Sequence, residues 1–213
     1  MISNEVSTKE KFVIEALRLF SEKGYEAVSV AEIASAVGCS APALYKHYKS
    51  KKQLLEAVIE ASNKGFEAQM EAMHFDFDSN GKDREAFIDM TEEDEIKRLQ
   101  DMVSYTIHNW FSQAFRKLCT VEQFHMKELS EAYDLRYVDF PINQYEKIFE
   151  LWIESGKMKP GNARAMAALY VGYPMLVIGI CDRDPQKEEE CMKKIEGPSL
   201  SCCSARSTAK DMS

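Results

Sequence analysis

The fold of the N-terminal part of the chain is decided by residues 29–50, which read SVAEIASAVGCSAPALYKHYKS. Two short runs of apolar residues at helical spacing flank the tripeptide Gly38-Cys39-Ser40. A serine that can cap a helix precedes each run, and the glycine permits a tight reversal of the chain. We therefore predict a helix-turn-helix, with one helix after Ser29 and a second after Ser40.

The second helix of this motif has a face that the first helix is not expected to cover. Leu44 should pack against Ile33 and Val37 of the first helix. The residues predicted to face outward are Ala41, Pro42, Tyr45, Lys46, His47 and Tyr48. Free N–H groups at the start of such a helix suit a phosphate, and Lys46 could donate to guanine in a major groove.

Helical signals continue on both sides of the motif. Ser7 and Glu10 have the spacing of a capping box before an apolar stripe that ends at Gly24, and Ser50 opens a long helix. Further helices are expected to start near Thr91, at Thr120 and at Pro141, with two more over residues 161–181 and 184–196. No stretch alternates like a β-strand, so we predict an all-α chain.

The chain is predicted to contain three parts that differ in charge. They are a three-helix helix-turn-helix domain (1–52), a helical domain (53–197) and a disordered tail poor in apolar residues (198–213). The net charge of −8 argues against a protein that coats nucleic acid non-specifically. Residues 1–52 nevertheless hold eight lysines and arginines against six acidic residues, which is typical of a small module that contacts DNA locally.

Residues 8–58 resemble the N-terminal domain of the TetR family of bacterial repressors. The resemblance rests on four blocks in one order, LFSEKGYEA (19–27), IASAVGCS (33–40), ALYKHYKSK (43–51) and LLEAV (54–58). It implies a cytoplasmic homodimer that binds double-stranded operator DNA and leaves it when a small-molecule effector binds the C-terminal domain. No enzyme activity, cofactor or metal is expected.

The resemblance also implies roles for individual residues. Those that would contact phosphates are Ser29, Tyr45, Tyr48 and either Lys51 or Lys52. Those that would face base edges or the adjacent backbone are Ser40, Ala41, Pro42, Lys46 and His47. Val28 and Ala31 depart from the family, which often has threonine and arginine there. The missing cation at Ala31 predicts an unusual operator preference or affinity.

A dimer is expected because one helix-turn-helix reads too few base pairs for a unique site. From Asn162 onward, residues spaced by three and four form a seam along which two helices can approach closely. The seam comprises Ala165, Ala168, Gly172, Met175 and Gly179. Packing within one subunit is the alternative. The 17 uncharged residues 165–181 are short for a membrane span, so we interpret them as a helix buried between subunits and expect no membrane partner.

The middle of the chain is rich in aromatic residues that could line an apolar pocket with a few polar groups. The candidate effector-binding residues are Tyr105, His108, Trp110, Phe111, Phe115, Phe124, His125, Trp152 and Tyr173. Because few cations lie nearby in the sequence, an aromatic or amphipathic effector is expected. Core packing is the alternative for each of these side chains.

Three other patterns point to different chemistry. Residues 76–81 copy the first half of an EF-hand loop, but the twelfth position is Phe87, so calcium binding is not expected. Two Glu-x-x-His repeats, Glu71 to His74 and Glu122 to His125, would suit a ferritin-like di-iron oxidoreductase. An adaptor that keeps the fold without binding DNA is a further alternative. The six cysteines contain no CxxC pair and are expected to be reduced thiols.

Overall fold

The computed structural model of the chain describes residues 6–72 and 84–195. All regular elements in these ranges are helices, so the all-α prediction is confirmed. The predicted tail at 198–213, the EF-hand-like stretch at 76–81 and His74 lie outside the described residues. Four of the cysteines are described, and each is a free thiol: Cys39, Cys119, Cys181 and Cys191.

The described residues form a succession of α-helices. They are α1 (Thr8–Lys23), α2 (Val30–Ala36), α3 (Ala41–Tyr45), α4 (Lys51–Ala72), α5 (Arg84–Asp89), α6 (Glu92–His108), α7 (Trp110–Glu122), α8 (Lys127–Asp134), α9 (Phe140–Glu154), α10 (Ala163–Arg183) and α11 (Glu188–Ile195). A π-helical turn, Leu135–Asp139, precedes α9, and a 3-10 turn, Pro185–Lys187, precedes α11.

The chain forms two compact units that each combine separate stretches of sequence. The first unit takes Met1–Met73 and His108–Leu135, and so contains α1 to α4 together with α7 and α8. The second unit takes His74–Ile107 and Arg136–Ser213, and so contains α5, α6 and α9 to α11.

The core of the first unit is built around α1. Its residues Phe12, Leu17 and Phe20 are almost completely buried, and α1 packs on both α4 and α7. The same core receives Leu54, Leu55 and Val58 from α4, Ile33 and Leu44 from α2 and α3, and Phe115, Leu118 and Cys119 from α7. Full burial of an apolar side chain of this size contributes about 1.5–3 kcal/mol. The α2–α3 pair is therefore mounted on a core that α7 helps to complete.

Most of the predicted helix ends in the first unit are confirmed. The capping box is complete, because Ser7 Oγ accepts from the Glu10 N–H at 3.2 Å and Glu10 Oε2 accepts from the Ser7 N–H at 2.8 Å. Gly24 ends α1 with a φ of 84°. The helix start predicted at Thr120 is wrong. Thr120 lies inside α7 and donates its hydroxyl to the Arg116 carbonyl at 2.8 Å, so it caps nothing.

In the second unit, α9 packs along α10. The Tyr145 and Tyr170 rings lie 4.7 Å apart between centroids, and the Phe149 ring meets Tyr170 edge-on at 5.5 Å. Trp152 Nε1 donates to the Phe87 carbonyl at 2.8 Å, which joins α9 to α5. Asn162 caps α10, since its Oδ1 accepts from the Ala165 N–H at 2.9 Å.

Candidate nucleic-acid interface

The connection between α2 and α3 has the geometry of a helix-turn-helix. Gly38 adopts a φ of 76°, which an L side chain would resist, although nothing crowds the position of its missing Cβ. The Cys39 N–H donates to the Ala34 carbonyl at 2.8 Å and closes the end of α2. At the other end of α2, Ser29 Oγ accepts from the Glu32 N–H at 3.1 Å. Ser40 holds the position before α3 and is exposed, but its side chain makes no cap hydrogen bond, so the side-chain cap predicted there is wrong.

The outer face of α3 carries the predicted reading residues. Tyr45 is 50% exposed, and Pro42, Lys46 and His47 are exposed as well. Because Pro42 precedes Tyr45 and Lys46 by three and four residues, the three side chains share one face of the helix. Leu44 is fully buried and points the opposite way into the core. This face therefore presents an aromatic ring, a hydroxyl and an ammonium group to solvent.

The outward orientation predicted for Tyr48 is wrong. Its side chain is only 4% exposed, and its hydroxyl donates to the Lys9 carbonyl at 3.2 Å. Burial raises the pKa of the Tyr48 phenol. The helical spacing contains the signal for this, because Tyr48 follows the buried Leu44 by four residues and so shares its face. Tyr48 fastens the chain after α3 to α1.

The two lysines at the start of α4 have different surroundings. Lys51 Nζ donates to the Tyr25 carbonyl at 2.7 Å and the Val28 carbonyl at 3.1 Å, and it lies 4.2 Å from the centre of the Tyr25 ring. Lys52 is 63% exposed and pairs with Glu128 of α8 at 3.2 Å. Exposed ion pairs contribute about 0–1 kcal/mol, so Lys52 can exchange this partner for a phosphate at little cost. Lys51 is instead bound to the loop between α1 and α2.

Comparison with known proteins identifies the family. Residues 14–58 match the family model for bacterial regulatory proteins of the tetR family. These residues therefore form an N-terminal DNA-binding domain of the tetR family. The chain is similar to the biofilm operon icaADBC HTH-type negative transcriptional regulator IcaR of Staphylococcus aureus, with 24% identity over 165 residues that cover 76% of this chain and 88% of IcaR.

Solved structures share the fold over most of the chain. One, from Mesorhizobium loti and described as a TetR-family transcriptional regulator, has a TM-score of 0.66 and 15% identity, covering 92% of this chain and 96% of its own. Another is SmeT, the repressor of the Stenotrophomonas maltophilia multidrug efflux pump SmeDEF, with a TM-score of 0.57, 16% identity and coverage of 93% and 91%. The solved structures add the shared fold, and the tetR-family match at residues 14–58 together with the likeness to IcaR makes this chain a DNA-binding transcriptional regulator.

The predicted effector-binding residues are divided between the two units of the chain. Phe115 is fully buried in the core of the first unit, so its ring is occupied by packing. Phe124 is 84% exposed at the end of α7, where His125 is also exposed. The other candidates of the first unit are His108, Trp110 and Phe111, and those of the second are Tyr105, Trp152 and Tyr173.

A buried polar cluster in the second unit is a feature that the sequence did not reveal. Glu95 of α6 is fully buried, its Oε1 lies 3.4 Å from the Tyr170 hydroxyl, and its Oε2 lies 3.8 Å from Arg98 Nε. Burial raises the pKa of the Glu95 carboxyl, and the Arg98 charge opposes the shift. Burial also raises the pKa of Tyr170 and of the neighbouring Tyr145. Glu95 stands in an acidic run that looks like a solvated helix start, so periodicity alone does not single it out.

Helix α10 presents an apolar face to solvent. In the predicted seam, Ala165, Ala168 and Gly172 are exposed, whereas Met175 and Gly179 are half-buried. Three larger apolar side chains accompany them, with exposed fractions of 81% for Leu169, 39% for Tyr173 and 67% for Leu176. By length and composition α10 could also cross a membrane, a test that core helices of soluble proteins pass as well.

Proposed function

We propose that this TetR-family regulator is a dimeric repressor that leaves its operator when a small apolar or aromatic effector binds the second unit. The observation that carries the proposal is the helix-turn-helix whose α3 exposes Tyr45 and Lys46. The names of two similar proteins support repression, since IcaR is a negative regulator and SmeT is a repressor. Such a protein would act in the cytoplasm, where bacterial DNA lies.

In this proposal α3 enters the major groove. Lys46 donates to guanine, Ala41 and Pro42 make apolar contacts with base edges, and Tyr45 contacts a phosphate. The remaining contacts come from Ser29, Ser40, His47 and Lys52, all of which are exposed. Tyr48 and Lys51 support this surface from inside, since their polar groups bind backbone carbonyls.

The proposed dimer forms through the exposed face of α10, which meets the same face of a second copy. A two-fold pair places two reading heads, the α2–α3 pair of each copy, on the two halves of an operator. Exposed leucines at positions 169 and 176 favour this arrangement, because removing apolar surface from water gains about 25 cal/mol per Å². In this proposal, residues 1–52 bind operator DNA, residues 53–197 bind the effector and form the dimer, and residues 198–213 form a tail.

For the effector, the second unit supplies both apolar and polar groups. Tyr105, Trp152 and Tyr173 of the predicted set lie there. The Glu95 carboxyl and the Tyr170 hydroxyl add buried polar groups that an effector could engage. Binding would favour a conformation with lower affinity for DNA, so repression would end by a population shift.

The di-iron alternative finds little support among the described residues. Glu122 of the second Glu-x-x-His repeat is buried and accepts a hydrogen bond from the Tyr25 N–H at 2.8 Å. His125 of the same repeat is exposed. Glu122 and His125 therefore lie in different environments and do not share one buried iron site.

The test is a binding assay with the full chain. A duplex is selected from a random library with the wild-type protein, and its affinity is measured by fluorescence anisotropy over a salt series. The double variant Tyr45→Ala, Lys46→Ala should lose salt-dependent binding while its thermal melting is unchanged, because both side chains project from the surface. Lys127→Ala, which removes one exposed cation elsewhere in the same unit, is the matched control. Failure to select any duplex at low salt would favour the adaptor.

A further inference from the structure

The loop between α1 and α2, residues 24–29, is held by two groups of opposite charge. The Tyr25 N–H donates to Glu122 Oε1 at 2.8 Å, and the Tyr25 carbonyl accepts from Lys51 Nζ at 2.7 Å. Glu122 is the last residue of α7, whereas Lys51 is the first residue of α4. Hydrogen bonds to ionised groups are roughly twice as strong as those between neutral groups. One residue of the loop is thereby fixed from both sides.

The approach of Glu122 to the loop is close. Its side chain is only 7% exposed, and a Cβ added at Gly24 would stand 3.0 Å from its Oε1. Gly24 is therefore required both by its φ of 84° and by the space that the carboxylate takes. A buried carboxylate that loses its partner is costly, so folding of this unit favours the contact between Glu122 and the Tyr25 N–H.

The loop leads directly to the start of α2. Lys51 Nζ also holds the carbonyl of Val28, which is 1% exposed and precedes the cap residue Ser29. Ser29 in turn caps α2 through the Glu32 N–H. Glu122 and Lys51, which both bind the loop, thus set the position of the exposed Ser29 hydroxyl and of the first turn of α2.

We propose that Glu122 is a positioning residue for DNA recognition, which holds the α1–α2 loop so that Ser29 and the start of α2 meet the DNA backbone. It acts through Tyr25 and does not itself contact DNA. The proposal rests on the DNA-binding function. It also makes the end of α7 a point from which a small displacement reaches the reading head through one hydrogen bond.

The decisive variant is Glu122→Asp, because it keeps the charge and withdraws the carboxylate from Tyr25 by one methylene. We expect an affinity for the selected duplex at least about tenfold lower, as for loss of a charge-assisted hydrogen bond. The slope of log affinity against log salt should fall by about 0.9, the value for one phosphate. Glu131→Asp, at an exposed carboxylate on α8, is the matched control and should bind like the wild type.

Glu122→Gln provides the rescue. It removes the charge but keeps an oxygen within reach of the Tyr25 N–H, so it should bind more tightly than Glu122→Asp. Affinities are corrected for the folded fraction from thermal melting, since a merely structural residue would change the melting temperature and leave the salt slope unchanged. If Glu122→Asp does not fold, Gly24→Ala disturbs the same contact from the loop side and should show the same lower slope.

The outcomes are distinguishable. Wild-type affinity and slope for folded Glu122→Asp, or for its replacement Gly24→Ala, would overturn the positioning role. So would equal binding by Glu122→Asp and Glu122→Gln. Failure of the wild-type protein itself to select a duplex would count against DNA binding, and would be seen before any variant is made.

Discussion

Leu169→Ala tests the proposed dimer through a side chain that the described residues of its own subunit leave largely exposed. Leu169 is 81% exposed on α10. Truncation to alanine removes three carbons, each worth about 0.8 kcal/mol when buried, so about 2 kcal/mol is lost for the surface that a partner would cover. A two-fold interface buries the residue twice, which doubles the loss to about 4 kcal/mol. The dimer dissociation constant should therefore rise about 1000-fold.

Sedimentation equilibrium over a wide concentration range measures this change directly. The control is Leu135→Ala, an equally apolar substitution at a leucine that is 62% exposed and lies outside α10. Because Leu169 contributes little to the core of its own subunit, the circular dichroism of the variant monomer should match that of the wild-type monomer. If neither Leu169→Ala nor Leu135→Ala changed the dimer dissociation constant, the dimer interface would lie on another surface and the reasoning would be refuted.

Two further substitutions test buried polar groups. Burial raises the pKa of the Glu95 carboxyl above its ordinary value, so at a pH between the two the folded state keeps a proton that the unfolded state has lost. The free energy of unfolding therefore falls as the pH rises from the ordinary pKa through the raised one. Glu95→Gln should therefore have a higher melting temperature than the wild type, by a margin that grows as the pH rises above the ordinary pKa of glutamate, and a margin independent of pH would contradict the shift. Tyr48→Phe, which loses the bond to Lys9, should lower the free energy of unfolding by about 1 kcal/mol. It should leave the DNA affinity of the folded protein unchanged, and a reduced salt slope would instead favour a phosphate contact.

Much of the reading head could be predicted because its signals are local. A cap, a glycine with positive φ and a run of apolar residues at helical spacing act within one or two turns. Ser7, Gly24, Ser29 and Gly38 all behave as their neighbours in the sequence indicate. The family blocks then supplied the order of these elements. At Thr120 the local pattern predicted a helix start that is absent, because a threonine hydroxyl can also donate to a carbonyl of its own helix, as Thr120 does here.

The features that sequence reasoning missed depend on contacts between distant parts of the chain. Tyr25 and Glu122 are 97 residues apart, and no periodicity in either segment indicates their hydrogen bond. Residue type was equally uninformative for Phe115, since an aromatic ring fits a protein core as well as a ligand pocket. Glu95 is a charged residue on a charged helix start, and only the packing of Tyr145 and Tyr170 against it makes it a buried group.

These long-range contacts make α7 a further support of the α2–α3 reading head. If α1 and α4 alone supported the α2–α3 pair, α7 would not contribute to its core. Here, however, Leu118 and Cys119 of α7 pack in the same core as Phe12 and Phe20 of α1. Helix α7 ends at the carboxylate that holds the α1–α2 loop. A change that tilts α7 therefore costs packing energy in the core and displaces the loop at once. Because both costs fall on one helix, the affinity for DNA can respond to a shift of α7 even when the residues of α3 keep their own conformation.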